Sequence, residues 1–344
     1  MSFFTLDPRL KFKLKSMPRG RHYQGLKNYS CNVPKRAITV DYQGDCFLCN
    51  CDGWLPISVG KIESFSSLEA VWNSPVAKIL QDDIDKKQFT WCAVKNCGVI
   101  NRDIHLDEAE LSINTDESCN LACPSCRREQ MMHTQGPFYE QQFLRTLHLV
   151  DLLQKFDNPL KLVMSGNGDP LASSILRPLV IDYQPKKNQS VLLKTNGLLL
   201  EKTLAKSKMV SAIKHYSISV DAGSQSVYED VRRPGRWENL IRNLDYLKDL
   251  SSEHKAKVDL NFVIQKNNFQ DLKNFVDLCE KYQYRAVITP LTDWGTWDVF
   301  LHHNVLDKNH ACYHTAIDVL RSVEHTYNQL QFESSVLALM KQDN

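Results

Sequence analysis

The sequence predicts an α/β protein: a partial, TIM-like barrel of six βα units, preceded by a small cysteine-rich domain. Two observations carry this. From about Leu111 onward, six short runs rich in Val, Ile and Leu alternate with stretches of helical period. Such alternation implies a parallel sheet covered by helices, and six strands fall short of the eight that close a full barrel. Before about residue 105 the chain reads differently, being turn-rich and holding six of the eleven cysteines.

In chain order, the division expected is residues 1–105, 106–292 and 293–344. The first segment contains one helix, "SLEAVWNSPVAKILQDDI" (Ser67–Ile84), with Ser67 as its N-cap. "INRDIHLDEAE" then joins it to the six units. Strands are expected at Leu111–Asn114, Leu160–Gly166, Ser190–Asn196, His215–Asp221, Lys257–Gln265 and Arg285–Leu291. Amphipathic stretches such as "EQQFLRTLHLVDLLQKF" and "NLIRNLDYLKDL" separate them, and Leu240, Leu244 and Leu247 fall on one helical face. The remainder reads as a loop followed by a terminal helix.

Bulk properties narrow the function. Lysine and arginine total 42 against 40 acidic residues, a net charge of +2 that argues against a general nucleic-acid or membrane surface. The local exception is the basic stretch Arg9–Gln24, "RLKFKLKSMPRGRHYQ", read as a solvated arm or as a contact for an acidic partner. No apolar run reaches the ~18 residues that span a bilayer. The start lacks the features of a signal peptide, so a cytoplasmic location with reduced cysteines is expected. Clustered reduced cysteines favour metal or cluster ligation over disulfides. Cys279 and Cys312 stand apart and read as buried thiols.

In parallel-sheet folds the loops leaving the strand C-termini build the active site. After the first strand, "TDESCNLACPSCRREQ" places Cys119, Cys123 and Cys126 within eight residues. A structural zinc site needs four closed ligands, and the nearest fourth, His133, lies seven residues on. A four-iron cubane held by three thiolates instead leaves one corner open for an exogenous ligand. After the second strand, "SGNGDPLAS" is either a tight βα turn or a place where backbone approaches a ligand. No Ser-His-Asp, phosphate-loop or paired-carboxylate constellation competes.

CxxxCxxC in this position, followed by "SGNGDP", "KTNG" and "SISVD", resembles the radical S-adenosylmethionine (SAM) superfamily. The resemblance implies a [4Fe-4S] cluster on Cys119, Cys123 and Cys126, with SAM chelated at the open iron. It places Asn167, Gly168 and Asp169 at the SAM ammonium, and Asn196 and Ser219 at its ribose or carboxylate. Arg232, in "YEDVRRPGRWENL", becomes a carboxylate partner, and Val263 to Gln265 edge the adenine. One departure is Ser125, where the family usually has an aromatic residue.

The earlier cysteines carry a second resemblance. Twelve residues separate Cys31 from Gly44 and four separate Gly44 from Cys49. This opening is similar to the SPASM and Twitch auxiliary-cluster modules, with "WCAVKNC" closing the site. The resemblance implies an auxiliary [4Fe-4S] cluster on Cys31, Cys49, Cys92 and Cys97, with Cys46 and Cys51 left over. A zinc ion on the same residues is the alternative. The module precedes the SAM domain here, whereas it usually follows.

The activity so implied is reductive SAM cleavage and hydrogen abstraction from a substrate. The expected substrate is a peptide undergoing oxidation or cross-linking, or a small polyol or sugar, with electrons from a reductase- or flavodoxin-type donor. Trp294, Trp297, Asp298, His302, His303 and Asn304, after the sixth strand, are candidate substrate contacts. The competing readings are a non-catalytic zinc-binding interaction protein and a radical SAM RNA-modifying enzyme; the latter wants a broader basic face.

Overall fold

The computed structural model describes residues 29–49, 55–92, 97 and 105–342. The basic Arg9–Gln24 stretch and Cys51 lie outside the described residues. The chain forms two compact units whose segments alternate along the sequence. The first unit takes residues up to Asp116 together with Gln135–Asn167 and Pro185–Ser190. The second takes Glu117–Thr134, Gly168–Gln184 and everything from Val191.

In the first unit, β1 (Ala37–Val40) and β2 (Cys46–Phe47) form an antiparallel hairpin. Asp41 shapes the turn, its Oδ1 accepting from the Gln43 amide at 2.9 Å and the Asp45 amide at 2.8 Å. Two helices follow, α1 (Leu68–Trp72) and α2 (Pro75–Asp85), where the sequence reads a single helix over Ser67–Ile84. The break is at Pro75. Its ring disfavours a helical residue before it, and Ser74 is accordingly extended, at φ −63° and ψ 153°. Ser74 then caps α2 through the Ala77 amide at 3.3 Å, as Ser67 caps α1 through Ala70 at 3.2 Å.

The unit continues with β3 (Ala109–Ile113), α3 (Pro137–Lys155) and β4 (Leu160–Met164). β1 pairs with β3 in parallel, Val40 opposite Ile113, and β3 pairs with β4, Ile113 opposite Met164. The strand order in this unit is therefore β2-β1-β3-β4. All four residues of β1 and all five of β3 are buried.

Helix α3 supplies Arg145, which is only 2% exposed. Its Nε donates to Glu63 Oε1 at 2.6 Å, and its other nitrogens donate to the Tyr42 and Gln43 carbonyls at 2.8 and 3.1 Å and to Gln142 Oε1 at 2.6 Å. A Cβ on Gly44 would lie 2.6 Å from Arg145 Nε, and Gly44 also has φ +82°. Glycine in the Gly-x4-Cys motif is thus required twice over, by dihedral and by the guanidinium beneath it.

The second unit holds α4 (Leu176–Asp182), β5 (Gln189–Thr195) from Val191 onward, α5 (Leu200–Leu204), β6 (Ile213–Ser219), α6 (Gln225–Val231) and α7 (Trp237–Glu253). It continues with β7 (Lys257–Ile264), α8 (Leu272–Tyr282), β8 (Arg285–Pro290), α9 (Tyr313–Val323), β9 (Leu330–Phe332) and α10 (Ser334–Gln342). Its strands pair in the order β5-β6-β7-β8-β9, all in parallel. The six expected strands are β3 to β8, and the fold is the α/β, partial-barrel class that the alternation predicts. β9 is an addition: the tail carries a short parallel strand and two helices where a loop and one helix were expected.

Leu240, Leu244 and Leu247 are fully buried along α7, as their spacing requires. Cys279 is buried in α8, but Cys312 is only half-buried. Among the described residues, no helix is long and apolar enough to cross a membrane.

Replacing Arg145 by Ala strands two backbone carbonyls and an amide oxygen in a buried site. The expected cost is about 3 kcal/mol or more in chemical denaturation, whereas Glu63→Gln, at the half-exposed end of the pair, should cost about 1 kcal/mol or less.

Candidate active site

The three clustered cysteines lie on a loop of the second unit that closes upon itself. The Cys119 amide donates to the Met131 carbonyl at 2.7 Å. Inside this ring, the amides of Cys126 and Arg127 both donate to the Cys123 carbonyl, at 2.8 and 3.0 Å, a tight turn that brings the last two thiols together. Cys119 is half-buried, Cys123 buried and Cys126 exposed. Burial pushes Cys119 up to about 11, with the neighbouring Asp169 and Cys123 adding to the rise and the Leu121 amide opposing it. Burial also raises Cys123, and Arg232 offsets part of that.

Each thiol has a donor beside it. Cys119 Sγ lies 3.4 Å from the Leu121 amide and 3.9 Å from Asn196 Nδ2. Cys123 Sγ lies 3.8 Å from Arg232 Nη1. Arg127 is held at the loop's start by a 2.7 Å bond to the Glu117 carbonyl. Desolvation works against its charge, but a hydrogen bond to Cys126 and the charges of all three cysteines outweigh that and raise it.

The "GNGDP" turn meets this loop directly. A Cβ on Gly168 would lie 2.2 Å from the Ser118 carbonyl, and the Asp169 amide donates to that same carbonyl at 2.8 Å. Glycine here is demanded by the cysteine loop's own backbone. Asn167, in the first unit, is exposed, with its amide donating to the Asp116 carbonyl at 3.0 Å.

Asp169 departs from its sequence-based assignment to the SAM ammonium. It is 3% exposed, and its Oδ1 accepts from the Leu171 and Ala172 amides at 2.9 and 3.3 Å. Its Oδ2 accepts from Thr195 Oγ1 at 2.8 Å and the Asn196 amide at 2.6 Å. Desolvation raises its affinity for a proton and these bonds lower it. The carboxylate faces protein donors and fastens the turn after β4 to the end of β5. Asn196, so held, presents Nδ2 to Asn120 Oδ1 at 2.9 Å as well as to Cys119.

Ser219 ends β6, half-buried, and two residues later comes Asp221, 2% exposed and at φ +60°. Asp221 Oδ2 pairs with Arg232 Nη2 at 2.7 Å, and its Oδ1 accepts from the Val263 amide at 2.8 Å. Burial raises Asp221 and the arginine lowers it. The expected carboxylate partner Arg232 thus already holds one carboxylate, while its Nε has no partner. Beside it the Tyr228 hydroxyl is buried without a hydrogen-bond partner, raised by burial and sensing Arg232 and Cys123.

Asp221 and Tyr228 are the residues that sequence reasoning missed. The signals were an acid just past a strand end and a tyrosine of α6 one turn before Arg232, the residue that caps the helix.

In the first unit, Cys92 feels the charges of Cys49, Cys97 and Cys31, and Cys31 that of Cys97. Burial is the larger influence on both, and it lifts Cys31 to about 11. Cys46 is fully buried elsewhere, its charged neighbours being Asp45, Glu63, Asp41 and Arg145. Among the described residues, no three His, Cys, Asp or Glu side chains converge on one point as the ligands of a single ion do. The cysteines of each set are nonetheless neighbours, and thiolates are the donor type that iron–sulfur clusters take.

A cavity of about 770 Å³ opens against the cysteine loop. Of the candidate substrate contacts, Trp297, Asp298, His302 and His303 line it, while Trp294 and Asn304 do not. The Trp297 and His303 rings stack, with centroids 3.6 Å apart.

Comparison with known proteins agrees with this geometry. Residues 113–279 match the family model of the Radical SAM superfamily, and residues 31–98 match that of SPASM, an iron-sulfur cluster-binding domain. An AdoMet-dependent heme synthase of Nitratidesulfovibrio vulgaris is 27% identical over 165 residues, covering 48% of this chain and 42% of the relative. A mycofactocin maturase, MftC, of Mycobacterium ulcerans is 25% identical over 178 residues, 52% of this chain and 43% of the relative. The match therefore spans less than half the length of either relative. Streptococcus suis SuiB, solved bound to S-adenosylmethionine, aligns over 77% of this chain and 58% of that one, at 18% identity and a TM-score of 0.43. The two family matches fall on the two cysteine sets: the chain carries a Radical SAM domain and, ahead of it, a SPASM iron-sulfur cluster-binding domain, domains that imply SAM and [4Fe-4S] clusters as cofactors.

Proposed function

We propose that this chain cleaves SAM reductively at Cys119, Cys123 and Cys126 and directs the product at a bound substrate. One observation carries the assignment of ligands: each of the three thiols has a donor of its own, in Asn196 for Cys119, Arg232 for Cys123 and Arg127 for Cys126. When bound, SAM and the cluster supply a one-electron cleavage that yields methionine and a 5′-deoxyadenosyl radical able to take a hydrogen atom.

The protein's part is electrostatic and positional. Hydrogen bonds to cluster sulfurs and nearby positive charge stabilise the more negative, reduced state. Asn196, Arg232 and Arg127 would do this here. Arg232 would receive the SAM carboxylate, a reading supported by its Nε, which has no partner while its Nη2 holds Asp221. Asn167 and Gly168 offer the turn backbone, Ser219 and Asn196 a polar wall, and Val263 an edge for the adenine. Asp169 acts as a positioning residue for Asn196.

Cys31, Cys49, Cys92 and Cys97 would hold an auxiliary cluster, which takes an electron from the substrate radical or organises the substrate. This division of labour follows residues 1–105 for the auxiliary domain, 106–292 for the SAM domain and 293–344 for the tail. The substrate we favour is a peptide undergoing oxidation or cross-linking, supported by the maturase among the relatives. A small polyol or sugar is the other class. A reductase- or flavodoxin-type donor would supply the electron, in a reducing cytoplasm.

Anaerobic reconstitution tests the ligand sets. Wild-type protein should hold about eight irons per chain, and about four would rule out the auxiliary cluster. Cys123→Ala should lose about four of them and all 5′-deoxyadenosine formation. Cys46→Ala should keep the full iron content, because that thiol sits among carboxylates and Arg145, away from the other cysteines.

Arg232→Gln keeps a hydrogen-bonding side chain but removes the charge. It should weaken SAM binding by on the order of tenfold or more in equilibrium dialysis, the value of a charge-assisted hydrogen bond. Unchanged SAM affinity would remove Arg232 from the site.

A further inference from the structure

The cavity beside the cysteine loop has an unusual balance of groups. Arg127, Arg128 and Arg233 line it, and Asp298 is the one acid among its lining residues. Gln130 and two histidines add further donors. Two lining residues also hold polar atoms that are buried without a partner, Trp297 Nε1 and Thr296 Oγ1. An indole N–H can only donate. The lining is therefore richer in cationic donors than in acids: three guanidinium forks and an indole N–H stand against one carboxylate.

The single acid is itself weakly engaged. Arg128 Nη2 lies 3.3 Å from Asp298 Oδ1, and the two side chains are 68% and 96% exposed. Exposed pairs of this kind contribute little, so an incoming anion replaces Asp298 on Arg128 at small cost. Arg128 Nε meanwhile donates to the Thr296 carbonyl at 3.2 Å, which keeps the side chain tethered to the cavity wall. Arg233 has its backbone tied to the cysteine loop, the Ala122 amide donating to its carbonyl at 2.6 Å, while its guanidinium makes an exposed pair with Asp230 that an anion can likewise displace at small cost. Arg128 and Arg233 thus line the cavity together with the stacked Trp297 and His303 rings, each guanidinium engaged in an exposed ion pair.

We infer that this cavity takes its substrate by an anionic oxygen group, a carboxylate or a phosphate, which Arg128 and Arg233 grip while Asp298 holds Arg128 until the substrate arrives. The inference rests on the radical SAM reading for the meaning of "substrate", but not for the binding itself. It narrows the peptide class to acidic peptides and the small-molecule class to acids and phosphate esters.

The test uses the reconstituted full chain at low salt. A fluorescently labelled, end-capped peptide carrying two glutamates is titrated by anisotropy, beside its glutamine counterpart. The glutamate peptide should bind at least tenfold more tightly, and Arg128→Gln should remove most of that difference. Asp298→Asn frees Arg128 and should tighten binding severalfold, an outcome that a merely structural salt bridge would not give. Both positions are exposed, so folding should survive, and a thermal melt checks it.

Succinate and inorganic phosphate then compete against the peptide: displacement by succinate alone assigns a carboxylate, and displacement by phosphate alone assigns a phosphate. Equal affinity for the two peptides, displacement by neither anion, or an unaffected Arg128→Gln protein would overturn the inference. No reductant or SAM turnover enters the measurement. A wild-type chain that binds the anion but forms no 5′-deoxyadenosine would therefore fail the enzymatic reading and leave this site standing.

Discussion

Four donors meet on the Asp169 carboxylate, and the active-site face of the second unit depends on them. A carboxylate taken out of water is costly unless its lone pairs are met. Here two backbone amides of the same turn meet one oxygen, while a hydroxyl and an amide at the end of β5 meet the other. The buried charge is tolerable only with both strand ends in place. Gly168 adds a steric condition, since its missing Cβ lets the turn touch the backbone of the cysteine loop. Asn196 inherits its position from this arrangement and passes it to Cys119. A second buried carboxylate, Asp221, does the same on the other side, joining the end of β6 to the Val263 amide and to Arg232, which reaches Cys123. The cysteine loop has almost no apolar core of its own and is held from both flanks by charge.

This arrangement explains why a partial barrel suffices. The chemistry needs a few loops fixed relative to one another, and the parallel strands β5 to β8 deliver their C-termini in register. Hydrogen bonds between consecutive loops convert that register into fixed side-chain positions. Arg232 shows the effect most clearly, its side chain 12% exposed and in contact with both a thiol and a carboxylate.

Much of this was legible in the sequence, and what was missed has physical causes. The six strands could be read because Val, Ile and Leu runs of that length have few other places to go. Leu240, Leu244 and Leu247 were equally plain. β1 was not, since four residues inside a cysteine spacer read as part of the spacer. Arg145 was hidden because a charged residue on an amphipathic helix is expected to face water. The roles of Asp169 and Asp221 could not be read either. An acid after a strand serves equally as a ligand or as a fastener, and the donors that decide between them lie about 27 to 42 residues away in sequence.

The pairing of β1 with β3 has a consequence for how the two domains relate. β1 lies between Cys31 and Gly44, inside the iron–sulfur module, yet it is a full hydrogen-bonded neighbour of the first strand of the βα series. The module is therefore no bead on a string. It covers a sheet edge that would otherwise present bare amides and carbonyls to any passing chain. Arg145 ties the same two regions a second time, reaching from α3 into the β1–β2 turn. A protein trimmed to its SAM domain would begin with an open edge at β3, whose residues, Ala109, Leu111 and Ile113 among them, are buried in the intact chain. In this chain the iron–sulfur module thus also completes the hydrogen bonding of the first strand of the βα series.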